Sequence, residues 1–282
     1  MALYAFDGTW QKDEIDDEKD TNVCRFLAAY NEPGVVNHYA AGVGTKWGAI
    51  GKIFGGAFGI GGWDRVNKAK AHLEQHWQSE PLVIVGFSRG AALALDFANE
   101  VSKGIKTPAG IRKPPIAFLG LWDLVASFGI PGNNINLGYQ LVADGNIANC
   151  CHALSLDERR YSFALTRVKY AEDKTQPNGG KRAYEVWFRG GHSDIGGGNL
   201  NHVRSNIALR WMMRRAVQHG VALDATKLPT ALPVGAPKPP IKISKAYIPK
   251  GRTVDKNERV HHTVTPREGY NNPPSPFIVE PD

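Results

Sequence analysis

Gly86-Phe87-Ser88-Arg89-Gly90 is a serine set between two glycines, preceded by the apolar run Leu82-Val83-Ile84-Val85 and followed by a small-residue helical stretch. A strand, a sharp turn and a helix in that order hold a serine hydroxyl at an elbow from which it can attack an acyl carbon. Side chains at Gly86 and Gly90 would collide there with the adjoining strand or helix. The helix, Arg89 to about Val101, directs its N-terminal amides toward the serine, where they stabilise an oxyanion.

A serine hydroxyl is a poor nucleophile until a histidine takes its proton, and that histidine needs a carboxylate to fix its tautomer and stabilise its cation. Asp123 follows the run Ile116 to Trp122, and His192 follows Tyr184 to Gly191, so both stand just past strand ends, like Ser88. Asp194, two residues after His192, is an alternative acid whose other role is to organise the turn Ser193 to Gly198. His261 and His262, in the proline-rich C-terminal stretch, are alternative bases. For the oxyanion, the Arg89 amide pairs with an amide from the first loop, Gly8 or Thr9, with Asp7 as a supporting or capping residue.

These groups need a scaffold that brings strand ends together. Apolar runs predict strands near residues 3–6, 37–41, 82–86, 116–121 and 184–188. Between them, helices are expected from Thr21 or Asn22 to about Tyr30, from Asp64 to His76, and from Asn206 to His219 with Gly220 at the end. The alternation predicts an α/β fold: a mainly parallel sheet covered by helices on both faces, with sites at the carboxyl ends of its strands. Residues 42–62 hold nine glycines among large apolar residues, too flexible for a regular element and too apolar for a solvated loop. They read as a mobile substrate flap carrying Trp47, Phe54 and Phe58. Residues 224–282 hold 11 of the 18 prolines, which predicts an extended tail packed on a catalytic domain of residues 1–223, with one or two short strands.

The 282 residues contain no run of 18 apolar positions, which predicts no transmembrane helix. Met1 to Asp7 passes straight into a strand without a basic or apolar leader, so cytoplasmic synthesis without a signal peptide is expected. Cys24, Cys150 and Cys151 imply no disulfide framework. The net charge is +7 although residues 12–20 carry six acids and two bases, so the rest of the chain is strongly basic. That balance suits an anionic membrane surface or acidic substrate; the scattered bases and lack of a reader motif argue against nucleic acid. No metal-ligand spacing, Walker motif or dinucleotide fingerprint is present, so neither a metal nor a cofactor is expected.

Six segments occur in order: Phe6-Asp7-Gly8-Thr9-Trp10, Thr21-Asn22-Val23, Gly42-Val43-Gly44-Thr45, Gly86 to Ala91, Gly120-Leu121-Trp122-Asp123, and Trp187 to Gly198. Together they resemble a bacterial and fungal α/β-hydrolase family whose best-known members are type VI secretion phospholipase effectors. The resemblance spans about residues 3–200. It implies an α/β-hydrolase-like fold, a Ser88, Asp123 and His192 triad, an oxyanion loop at Gly8 and Thr9, and export by a type VI-like system. Arg189 stands where proline is usual in the family. The reading is a serine lipase, phospholipase or esterase acting on lipid or acyl esters through an acyl-enzyme. The alternatives are an acyltransferase using the same intermediate, and a hydrolase-fold binding protein without catalysis.

Overall fold

The computed structural model describes residues 1–8, 20–42, 57–126, 142–160, 163–170, 183–232, 252–267 and 269–282. Its centre is an eight-stranded sheet, parallel at every pairing. The strands are β1 (Ala2–Phe6), β2 (His38–Ala40), β3 (Leu82–Phe87), β6 (Ile116–Trp122), β8 (Cys150–Ser155), β10 (Tyr184–Phe188), β11 (Arg259–His261) and β12 (Ile278–Glu280). Two small pairings lie outside it: the hairpin of β4 (Ile105–Thr107) and β5 (Gly110–Arg112), and the parallel pair β7 (Val142–Ala143) and β9 (Lys169–Tyr170).

Successive side chains of a strand point to opposite faces, and the central strands here are buried on both. Tyr4, Phe6 and Ile84 join one apolar layer with α2 (Ala57–His76) and α3 (Arg89–Lys103). Leu3, Ala5, Val83 and Val85 join the other, beneath α1 (Asn22–Ala29) and α5 (Val203–Gln218). The expected parallel sheet with helices on both faces is therefore what the chain builds. Thr21 caps α1, its hydroxyl accepting the Cys24 amide at 3.2 Å. Gly220, at φ +83°, follows the end of α5.

Strand order places the site. The sheet runs β12-β11-β10-β8-β6-β3-β1-β2, so the chain steps outward from β1 to β2, returns to β3 on the other side of β1, and continues outward to β12. The order reverses between β1 and β3, and ligands of such sheets bind at the carboxyl ends of the strands beside that switch. Asp7 and Gly8 leave β1 there, and Ser88 leaves β3.

Three features depart from the sequence reading. Cys150–Ser155 is a fully buried central strand, although Cys-Cys-His-Ala-Leu-Ser offers no β-branched residue to announce one. Residues 57–62, read as part of a flap without regular structure, form the opening turns of α2. Their glycine cost is offset by continuity with a helix that buries Val66, Ala69 and Leu73 in the core. The rest of that segment, with Trp47 and Phe54, lies outside the described residues. The C-terminal stretch supplies the short strands expected of it, β11 and β12, but places them in the central sheet, beyond β10, which the sequence reading did not foresee. Among the described residues no helix is long and apolar enough to cross a membrane.

Candidate active site

At the end of β3 the chain turns through Ser88 with φ +59° and ψ −124°, a conformation that side chains rarely adopt and that surrounding structure must hold in place. Three backbone bonds hold it: Ser88 N–H donates to Trp122 O at 3.0 Å, and the Ala91 and Val125 amides donate to Ser88 O at 3.1 and 3.2 Å. The flanking glycines are required by close approach. A Cβ on Gly86 would stand 2.6 Å from Gly90 O, and one on Gly90 would stand 2.3 Å from Phe6 O. Strand β1 and helix α3 can meet at the switch because neither glycine carries a side chain.

Asp123 leaves the neighbouring strand β6 with φ +44°. Its amide donates to Ala153 O at 2.8 Å, and the next amide, Leu124, donates to His152 Nε2 at 3.1 Å. A ring nitrogen that accepts from an amide carries no proton, so the His152 proton sits on Nδ1, which faces Glu185 Oε1 at 3.0 Å. This fully buried histidine on β8 thus fixes the turn that presents Asp123.

His192 opens the short helix α4 (His192–Gly196) after β10. Its amide donates to Glu158 Oε2 at 3.1 Å, while Asp194 Oδ2 accepts the Gly191 amide at 2.9 Å. Behind the turn, Gly190 N–H donates to Asp157 Oδ2 at 2.8 Å and Ser155 Oγ donates to Gly190 O at 2.7 Å. The ring lies between Phe87 and Phe163, with centroids 4.6 and 4.7 Å away. Its Nε2 is 2.7 Å from Ser88 Oγ and its Nδ1 is 2.5 Å from Asp123 Oδ2. Asp123 therefore fixes the tautomer with Nδ1 protonated, leaving Nε2 to accept the serine proton.

Burial of Asp123 opposes its ionisation, but the charge on Arg252 and the hydrogen bond from His192 outweigh that and hold it well below the usual carboxylate range. For His192, burial outweighs the pull of Asp123 and lowers the ring from its ordinary value, with Arg252 acting in the same direction. The site thus pairs an ionised acid with a neutral base, as proton abstraction from a hydroxyl requires.

The remaining residues singled out in the sequence have separate places. Arg89 is the first residue of α3, with its amide at the positive end of the helix. Gly8 N–H donates to Asp7 Oδ1 at 2.7 Å, so the amide expected at the oxyanion is engaged by its neighbour's carboxylate. Asp7 Oδ2 accepts from Thr21 Oγ1 at 2.7 Å and Tyr39 OH at 2.9 Å, making Asp7 the buried anchor of the first loop. Thr9 lies outside the described residues, and so does the side chain of Phe58. Asp194 caps α4 and is not bonded to the His192 ring. His261 stacks its ring on Phe188 and sets Nδ1 2.9 Å from Thr263 Oγ1, with the His262 ring tilted against it; the ring bonded to Ser88 belongs to His192. Asp282 approaches both tail histidines, but its Oδ2 accepts from Arg210 Nε at 2.7 Å.

Sequence reasoning missed Arg252, Glu158 and His152, which hold Asp123 or His192. None belongs to a local motif; each meets its partner through sheet order.

A model of the catalytic domain of Tle1-like phospholipase effectors of the type VI secretion system matches residues 3–104 and 98–215. The chain belongs to this family. Among solved structures, an uncharacterized protein from Pseudomonas aeruginosa superimposes with a TM-score of 0.62 at 22% identity, covering 82% of this chain and 47% of its own. A Tle1 effector bound to the VgrG spike of the type VI secretion system matches with a TM-score of 0.47 at 20% identity, covering 70% of this chain and 50% of its own. The chain thus spans about half the length of the solved structures it matches. None of the curated proteins matches it.

Proposed function

We propose that this chain is a serine hydrolase of phospholipid or other acyl esters, in which Ser88 is the nucleophile, His192 the general base and acid, and Asp123 the acid that orients it. The observation that carries this reading is the continuous hydrogen-bonded line from Ser88 Oγ through His192 to Asp123, at the strand switch of a Tle1-like catalytic fold. As Ser88 Oγ bonds to the ester carbonyl carbon, its proton passes to His192 Nε2 and the carbonyl electrons move onto oxygen. Collapse of that oxyanion breaks the bond to the alcohol, which leaves with the proton from Nε2. Water then attacks the acyl-serine, again giving its proton to Nε2, and the fatty acid departs as the proton returns to Ser88.

The Arg89 amide holds the oxyanion. With the Gly8 amide turned to Asp7, the second donor falls to Thr9. Trp47 and Phe54, with Phe58 from the opening turn of α2, cover the acyl chain. Residues 1–223 carry Ser88, Asp123 and His192, and residues 224–282 add β11 and β12 to the sheet that presents them. The net charge of +7 favours anionic bilayers as the substrate surface, and family membership points to type VI export.

The test is incubation with phosphatidylglycerol vesicles, product identification by mass spectrometry, and labelling with a fluorophosphonate. Free fatty acid with lysophospholipid, and a label on Ser88, are expected. An acyl group on an acceptor other than water would make the chain an acyltransferase. Absence of both label and turnover would leave a binding protein.

A further inference from the structure

The Asp123 carboxylate is fully buried, and a buried anion persists where partners replace the water it has lost. Ser155 N–H donates to Oδ1 at 2.9 Å and His192 Nδ1–H to Oδ2. The remaining acceptor positions face Arg252. Its Nη1 donates to Oδ1, and its Nη2 donates to Oδ2 at 3.0 Å. The same nitrogens donate to Ser155 O at 2.8 Å and Phe163 O at 2.9 Å, so the guanidinium is tied to β8 and to the segment under the His192 ring as well. Its backbone is tied in turn, since Asn271 Nδ2 donates to Arg252 O at 2.7 Å and to Leu156 O at 3.0 Å. Arg252 stands 129 residues beyond Asp123 and outside the residues matched by the family model.

We propose that Arg252 is a positioning residue of this relay: its forked guanidinium sets the plane of the Asp123 carboxylate and keeps it charged, so that Oδ2 meets His192 Nδ1. This rests on the reading of Ser88 as nucleophile.

The chemistry follows from geometry and charge. A planar fork binding both carboxylate oxygens removes rotation about the last bond of the aspartate, which a single hydrogen bond does not. With Arg252 in place, ionised Asp123 and neutral His192 make a buried group of zero net charge, which becomes +1 when the ring takes the serine proton. Without Arg252 the same step goes from −1 to zero. The arginine therefore makes the ring a weaker base that stays neutral in more acidic solution. Other charges near the ring are already paired: Glu158, beneath the His192 amide, binds Arg160, and Asp157 binds Arg189 behind Gly190. Asp194 on α4 faces the Gly191 amide, and the Arg89 guanidinium lies over the outer ring, Phe163.

The experiment measures kcat and KM against pH on a soluble short-chain ester, together with fluorophosphonate labelling and melting temperature, for the wild type, Arg252→Met and Arg252→Lys. Arg252→Met is expected to lower kcat at least about tenfold with KM changed less than about threefold, and to move the acid limb up by roughly one pH unit. Arg252→Lys, which keeps the charge and loses the fork, should keep the acid limb near that of the wild type with an intermediate kcat. A wild-type acid limb in folded Arg252→Met overturns the proposal. If Arg252→Met does not fold, Arg252→Lys decides, and a wild-type kcat there overturns the fork. A wild type that is active and labelled at Ser88, beside an Arg252→Met variant indistinguishable from it, sinks the role of Arg252 alone. A wild type with neither label nor turnover sinks both readings.

Discussion

Gly90 lies so close to Asp7 that a Cβ on it would stand 2.4 Å from the Asp7 carbonyl oxygen. The serine turn and the first loop are thereby one packed unit, and a methyl group is enough to separate them. Gly90→Ala should cost about 1–3 kcal/mol in urea unfolding, the range for overpacking a tight site, and should slow fluorophosphonate labelling. Gly145→Ala, whose Cβ would meet nothing within 4 Å, should stay within about 0.5 kcal/mol and label normally.

Residues that act as one unit fail together. Ser88→Ala, His192→Ala and Asp123→Asn should each lower kcat on the order of 10⁴-fold or more, and the Ser88/His192 double variant should lose little beyond either single one. Asp194→Asn should retain most activity. The reverse pattern for Asp123 and Asp194 would reassign the acid, and survival of His192→Ala with loss in a His261 or His262 variant would reassign the base.

Asp123 also links stability to acidity. Its carboxyl titrates lower in the folded protein than in the unfolded chain, so the stability it contributes is complete above the ordinary aspartate value and is lost as the pH falls toward the folded one. Urea midpoints of the wild type and Asp123→Asn should therefore differ most near neutral pH and converge below about pH 4. A constant gap across that window would show that the group contributes no proton linkage.

Arg189 spans two parts of the chain. Its Nη1 donates to Asp157 Oδ1 at 2.8 Å and to Asn271 O at 2.7 Å, and its Nη2 donates to Thr265 O at 3.0 Å. Arg189→Met would leave the buried Asp157 without its cation, a loss of about 3–5 kcal/mol by analogy with other broken buried pairs. Calorimetry should show the melting temperature falling well beyond the change for exposed Arg112→Met.

For the segment of residues 42–62, the readout is chain length. Replacing Phe54 and Phe58 with Ser should reduce hydrolysis of long-chain esters far more than short-chain ones and leave the melting temperature nearly unchanged. A large fall in melting temperature with an unaltered chain-length profile would instead place these residues in the core.

The strands that open on Ala2, Leu82, Ile116 and Tyr184 were legible because each is an apolar run ending at a turn signal, and the elbow glycines because their spacing states a steric requirement. From those boundaries Ser88, Asp123 and His192 could be named before any contact was known. Cys150–Ser155 was illegible because its strand character comes from burial between β6 and β10 and not from its own residues. Arg252 was illegible for another reason: in Lys250-Gly251-Arg252-Thr253 nothing local distinguishes it from other surface arginines. Its meaning arises when β11 and β12 join the sheet and draw the preceding residues over the end of β8.

From β3 onward the central sheet lengthens in the order in which it is encoded, β6, β8, β10, β11 and then β12. A nascent chain leaving the ribosome thus presents its serine, aspartate and histidine well before residue 252 emerges. Until it does, Asp123 lacks the guanidinium that holds both its carboxylate oxygens in the folded chain. Synthesis from the N-terminus therefore brings the guanidinium partner of Asp123 last, after every strand that carries Ser88, Asp123 and His192.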